Sequence, residues 1–244
     1  MNSGIYGAVT GSLAAVNKLD VLANNLANAS TPGYKKDRIR FESVLAAAGT
    51  AVPGDGPSEA PVLVEERYSI DFSSGEVKHT GNTFDLAVDG DGFFVVNTPE
   101  GKAYTRQGNF RIDAKGKLVT SEGNEVLGGG APIIIQGGTV SFDAKGKMFV
   151  EGIESGVIDV VDFPKPYDLR KVGSALFVPN SQGDVPQPTR DAVVRQGKLE
   201  GSNVNAVEEM VRLIEATRSS ETCQKLIQNY DMMTGKAVNE LGKV

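Results

Sequence analysis

The hydrophobic period changes twice along this chain: apolar residues recur at three- and four-residue spacing at both ends and at two-residue spacing through the middle. Towards the C-terminus, Leu213, Ala216, Ser220, Cys223, Ile227, Tyr230, Thr234, Ala237 and Leu241 keep a strict 3,4 alternation, the seam of a coiled coil. No proline interrupts residues 203–244, and Asn205 followed by Glu208 has the spacing of a helix cap and its reciprocal carboxylate. Glu208 with Arg212 and Glu221 with Lys225 are i,i+4 pairs in the favourable orientation, while Gly235 and Gly242 predict a fraying end. At the other terminus Ile5, Val9, Leu13, Val16, Leu19, Ala23 and Leu26 repeat in the same way through an Ala-rich, proline-free run. Both seams are thin, because small residues occupy many of their positions. A solitary helix with so narrow an apolar face buries too little to offset the entropy of ordering it. Each helix therefore needs a partner, and the spacing predicts close helix-to-helix packing in a multi-chain assembly.

The first helix is expected to stop at Ser30-Thr31-Pro32-Gly33, since proline disfavours helical geometry in the residue before it and glycine tolerates a reversal. Just before the stop, Asn24, Asn25 and Asn28 surround Leu26. Asparagine is a poor helix former, so these three residues belong either to a frayed, Asn-capped turn or to an amide network between chains. Residues 35–48 predict a short amphipathic element through Ile39, Phe41, Val44 and Leu45, and the Gly- and Pro-rich residues 49–61 a linker.

From Val62 the period is two. Val62–Val64, Tyr68–Phe72 and Val77 alternate like half-buried strands, followed by strand signals at Phe84–Val88, Gly92–Asn97, Ala103–Arg106, Phe110–Ile112, Lys117–Thr120, Ile133–Gln136, Val140–Phe142, Val157–Phe163 and Ala175–Val178. Turn signals separate them at short intervals, and Asp113-Ala-Lys-Gly-Lys117 recurs as Asp143-Ala-Lys-Gly-Lys147, two expected hairpin turns. The expected fold is mainly β with α termini. A terminal helix at 1–34 and another at 201–244 form a coiled-coil-like layer, and between them lie a connector at 35–61 and a central antiparallel β domain at 62–200.

Composition narrows the function. The chain has 244 residues, 40% of them hydrophobic, and a formal net charge of -6, which argues against a nucleic-acid binder. Lys35, Lys36, Arg38 and Arg40 are the notable basic cluster and are expected to be a solvated connector. A single cysteine, Cys223, and a single histidine, His79, leave no intrachain disulfide, Cys-rich zinc site or His relay; Cys223 reads as a small packed residue and His79 as a surface one. No cofactor or metal ligand set is expected. There is no apolar run of about 18 residues for a membrane span, and the N-terminus lacks the pattern of a cleavable signal peptide. Asp89-Gly90-Asp91-Gly92 invites a calcium reading with Glu100 at loop position 12, but Phe93 and Phe94 stand where an oxygen ligand and a sharp-turn glycine are required. Phosphate-loop, nucleophile-elbow and metalloprotease motifs are absent, so no catalytic residues are expected.

Three stretches carry a family resemblance. Asn24-Asn25-Leu26-Ala27-Asn28-Ala29-Ser30-Thr31-Pro32-Gly33-Tyr34 resembles the N-terminal signature of bacterial flagellar rod and hook proteins. Asp89–Phe94 with Tyr104-Thr105-Arg106-Gln107-Gly108-Asn109-Phe110 resembles the central block of that family, and Gly197–Asn205 with Val207–Met210 its C-terminal block. The short length and the form of the first motif are most similar to proximal-rod subunits; a distal-rod or hook-type subunit is the alternative within the family. The resemblance implies a non-enzymatic building block of the basal-body rod. Such a subunit would be exported uncleaved by the flagellar export apparatus, assembled helically in the periplasm, and partnered by copies of itself and neighbouring rod proteins. It carries no membrane insertion and no nucleic-acid role. It also implies an assembly interface formed by Ile5, Val9, Leu13, Val16, Leu19, Asn24, Asn25, Leu26 and Asn28 with Leu213, Ala216, Cys223, Ile227, Tyr230 and Leu241, and it favours the amide-network reading of the asparagines. Outside the family, a self-associating coiled-coil surface protein and an enzyme housed in the β domain are the competing readings.

Overall fold

The computed structural model describes residues 2–45, 62–181, 184–189 and 192–241; the stretch at 49–61 expected as a linker, and Gly242, lie outside them. Two compact units account for the chain. One contains the helices α1 (Asn2–Ala27) and α2 (Ala206–Leu241) with an antiparallel ribbon of β1 (Asp37–Leu45) and β2 (Val62–Ile70). The amphipathic run through Ile39 and Leu45 is thus strand β1, its Asp37 opposite Ile70 and its Leu45 opposite Val62. Its β-branched and aromatic residues suit a strand, and pairing over nine residues supplies the main-chain partners that a short isolated helix lacks.

Helix α2 begins immediately after Asn205, which places Asn205 at the N-cap position, and the Glu208–Arg212 pair forms one turn on. It runs through Gly235 to Leu241. Its less exposed stripe is Glu209, Leu213, Ala216, Ser220, Cys223, Ile227 and Tyr230, and Thr234 beyond it is exposed. Helix α1 buries Ala8, Ala15, Leu22 and Asn25, while Val9, Leu13 and Val16 stay exposed. The two helices meet where Gly11 faces Cys223: a Cβ on Gly11 would stand 3.4 Å from the Cys223 sulfur.

The second unit is antiparallel throughout its described pairings. Its strands are β3 (Val77–His79), β4 (Leu86–Asp89), β5 (Phe93–Thr98), β6 (Gly101–Thr105), β7 (Arg111–Ile112), β8 (Leu118–Val119), β9 (Glu125–Gly128), β10 (Ala131–Pro132), β11 (Val140–Phe142), β12 (Lys147–Val150), β13 (Ile153–Val157), β14 (Val160–Asp162), β15 (Leu169–Val172), β16 (Leu176–Pro179), β17 (Gln187–Pro188), β18 (Val193–Gln196) and β19 (Lys198–Glu200). The main sheet runs β15-β16-β6-β5-β9-β8-β7, and β11-β12-β13 form a smaller one. The core of this unit includes Leu86, Phe94, Val96, Phe110, Leu118, Val126, Met148 and Ile158. Residues 133–136 are not a strand. Ile133 and Ile135 are buried, and their main chain bonds Leu118 and Gly116 singly across the sheet rather than forming a ladder. Both repeat turns form: the Asp113 carboxylate accepts the N–H groups of Lys115 and Lys117, and Asp143 those of Lys145 and Lys147, with Gly116 and Gly146 at positive φ.

The ingoing and outgoing segments of this unit are hydrogen-bonded to each other, β3 to β19 and β4 to β18. The chain therefore leaves the β unit beside the point at which it entered.

Candidate functional site

Where those segments meet, the sequence brings three remote stretches together. Pro32-Gly33 turns the chain after α1 and drives Tyr34 and Lys35 inward; neither has any accessible surface. Gly33 is required for this turn. It has φ of +66° and its main chain passes so close to the Arg106-Gln107 peptide that a Cβ would come within 2.4 Å of it. The Gly33 N–H donates to the carbonyl of Glu200 at 2.8 Å.

Glu200 is the hub. One carboxylate oxygen accepts Lys35 Nζ at 2.6 Å and the Gly75 N–H at 3.0 Å; the other faces Arg106 Nη1 at 3.4 Å. All three ionic side chains are at least 96% removed from solvent. One carboxylate does not balance two cations, and main-chain carbonyls supply the remaining negative potential: Ser73 O for Lys35 at 2.8 Å, Val88 O and Gly90 O for Arg106 at 3.0 and 2.7 Å. Charged groups this buried are tolerated only when paired and hydrogen-bonded in this way. Arg106 also lies over the Phe93 ring, 5.3 Å from its centroid, and Phe93 packs edge-on against Phe72, Phe163 and Tyr167.

Asn203 closes the arrangement. Its side-chain oxygen accepts the Lys36 N–H at 2.8 Å, its amide donates to Ser73, and its own N–H reaches the Tyr34 carbonyl. Lys171 donates to the Lys35 carbonyl at 2.7 Å and stands 4.2 Å over the Tyr34 ring. At the rim, Asp91 is held below the usual carboxylate range, first by its hydrogen bond from Lys165. Every reactive group at the centre is fixed and desolvated, so the chemistry available to the site is clamping: residues 33–36 and 200–203 are tied to one another and to Arg106.

The basic cluster is therefore corrected at one position. Lys35 is a buried ion-pair partner, not a solvated connector residue, because a counter-ion 165 positions away in sequence meets it in the fold. Sequence reasoning missed this site as a site. Its one signal was that Lys35, Arg106 and Glu200 each adjoin or lie within a stretch marked by glycine and proline turn residues.

The expected assembly residues fall into distinct environments. Val9, Leu13 and Val16 are exposed, at 49, 60 and 42%. Leu19, Leu26, Leu213, Cys223, Ile227 and Tyr230 are half-buried, and Ala216 is buried. Asn25 is buried, and its amide exchanges two hydrogen bonds of 2.9 Å with the main chain of Asp37. Asn28 accepts from the Thr31 hydroxyl, closing the turn, and Asn24 is exposed. The side chains of Ile5 and Leu241 are outside the described set. On α2 the sequence reading passed over a second apolar stripe: Val207, Met210, Val211 and Ile214, all exposed.

Comparison with known proteins gives three family matches. Residues 5–35 match the family described as flagella basal body rod protein, residues 87–150 the D1 domain of flagellar hook protein FlgE/F/G, and residues 195–240 the C-terminal part of flagellar basal body rod FlgEFG protein. Each contributes one member of the ionic clamp: Lys35, Arg106 and Glu200. The chain is 34% identical to the flagellar basal-body rod protein FlgF of Caulobacter vibrioides over all of both chains. It is 32% identical to FlgF of Rhizobium meliloti over 99% of each, and 33% identical to the rod protein FlgG of Bacillus subtilis over 98% of this chain and 99% of that one.

Proposed function

The chain belongs to the flagellar basal-body rod protein family, and from that premise we propose that it builds the rod by burying the exposed apolar stripes of its two terminal helices against those of neighbouring copies. It is a structural protein of the basal-body rod, FlgF-like, and not an enzyme; rod proteins of this family assemble with other rod components. The observation that carries the finer reading is the exposure of Val9, Leu13 and Val16 on α1 together with Val207, Val211 and Ile214 on α2, at helical spacing in both cases. A contiguous apolar helix face left uncovered within one chain marks an interaction surface. Supported by the same likeness, the subunit sits in the proximal rod within the periplasm, reaches it through the flagellar export apparatus without cleavage, and transmits torque towards the hook through a coiled-coil-like layer of these helices. No helix among the described residues is long and apolar enough to cross a membrane.

The test is isolation of basal bodies from cells that carry a tagged copy of the chain in place of the untagged one. The expected result is retention of the full-length chain in purified rods and motility equal to the parent. A motile strain whose basal bodies lack the chain would overturn the proposal.

A further inference from the structure

Two glutamates of this chain are buried to the same degree and served very differently. Glu200 and Glu209 are both 1% exposed. Both carboxylate oxygens of Glu200 have partners. Glu209 has Arg212 Nη1 at 3.4 Å from Oε1, and its Oε2 is buried with no hydrogen-bond donor among the described residues. Arg212 lies at the surface, where its other terminal nitrogen is held by Glu208. A buried acceptor without a donor is costly, more so when charged, and a chain that keeps one stores strain there.

Glu209 occupies a seam position of α2, one turn before Leu213. The two helices run antiparallel through the contact of Gly11 with Cys223. One face of α2 is buried or half-buried from Glu209 to Tyr230, whereas residues 231–236 are exposed on every side. A parallel pair would set those exposed turns beside residues 19–24 of α1, where Leu22 is buried. Fourteen positions on from Gly11 and fourteen back from Cys223 are Asn25 and Glu209, so the carboxylate lies level with Asn25, whose amide is engaged by the main chain of Asp37. On the outside of the same turns Val207, Met210, Val211 and Ile214 are exposed. Polarity is thus inverted at the root of α2, with the charge inside and the apolar residues in water.

We propose that Glu209 is a release device: its unmatched oxygen holds the α1–α2 seam near opening at the root, and the first turns of α2 part from α1 to carry Val207, Val211 and Ile214 onto a neighbouring copy. The assembly step rests on the rod reading. A contact made only by the open form is weakened in proportion to the fraction of chains that are closed, so tightening the seam weakens incorporation by the same factor.

The test uses Glu209→Leu, which fills the seam without a charge, and Glu209→Gln, which keeps the shape. Hydrogen exchange of the purified full-length chain reads the opening of the seam. In Glu209→Leu the amides of residues 209–216 and 19–26 should exchange about tenfold to a hundredfold more slowly than in the parent, with the β unit unchanged. Glu209→Gln should slow the same amides by less. A carboxylate that only supports the fold gives the opposite sign, so unchanged or faster exchange in Glu209→Gln overturns the inference whether or not Glu209→Leu folds. In cells lacking the parent, the fall in the amount of variant chain in purified basal bodies, at equal expression, should match the factor by which its exchange slows. Slower exchange with undiminished incorporation also overturns the proposal. Basal bodies that lack even the parent chain would overturn the rod reading and the assembly step with it, while the exchange result decides the seam by itself.

Discussion

At the scale of single residues, the clamp has an asymmetric failure pattern. Glu200→Gln leaves Lys35 and Arg106 buried without their counter-charge, and removal of one member of a buried pair costs about 3–5 kcal/mol. Lys35→Met is expected to cost less, because Glu200 keeps Arg106 and the Gly75 N–H, and Ser73 O keeps the Asn203 amide. Urea unfolding of the full chain ranks the two; equal losses would show that Glu200 is not the hub. A second expectation concerns pH. Asp113 is depressed first by hydrogen bonds from the Lys117 main chain, Glu125 by Lys117 Nζ, and Asp91 by Lys165. A carboxyl whose folded pKa lies below its unfolded value of about 4 stabilises the fold at higher pH, and that contribution fades as pH falls through the folded pKa. The unfolding midpoint should therefore be flat down to about pH 5 and fall below about 4, with a smaller fall in Asp113→Asn. Lys117 and Lys147 are raised by Glu125 and Glu154. Their contributions run the other way, present below the usual lysine value and lost as pH climbs past it.

At the scale of elements, the sequence was most informative where one periodicity sufficed. The 3,4 pattern from Leu213 to Tyr230 coincides with the less exposed stripe of α2, and the repeated Asp-Ala-Lys-Gly-Lys turns form as written. It was least informative where a partner far away in sequence decides the outcome. Strand β1 exists because β2 pairs with it across residues 46–61, and Lys35 is buried because Glu200 waits for it. Helix α1 shows a subtler limit. Its larger apolar residues mark a stripe, but the buried face is the adjoining one with Ala8 and Ala15, and Gly11 meets α2 at Cys223, since only small side chains admit a second helix so closely. Gly11→Cys tests that geometry. With the new Cβ 3.4 Å from the Cys223 sulfur, a gap that one added sulfur spans through a C–S and an S–S bond, a disulfide should form within the chain on mild oxidation, seen as a faster band on a non-reducing gel that Cys223→Ala abolishes. Failure to form it in the folded chain would mean that the helices do not meet at this point.

At the scale of the whole molecule, folding and assembly use different residues, and this separation makes the rod reading testable by mutation. The ionic clamp is sealed from solvent and ties residues 33–36 and 200–203 to one another within the β unit. The apolar residues on the outer faces of α1 and α2 contribute little to the isolated chain, because most of their surface stays in water. Leu13 is 60% exposed, so Leu13→Asp should change the stability of the monomer by no more than about 0.5 kcal/mol. In the assembled rod the same side chain would lie in a packed seam, where an unpaired carboxylate is far more costly. The expected phenotype is a chain with the parent's unfolding midpoint that is missing from purified basal bodies and does not restore swimming. Ile227→Asp is a less clean probe, since Ile227 is half-buried and its loss should lower both stability and incorporation. If Leu13→Asp swims normally, the α1 stripe faces solvent in the rod, and the contacts between subunits must be carried by α2 and the β units.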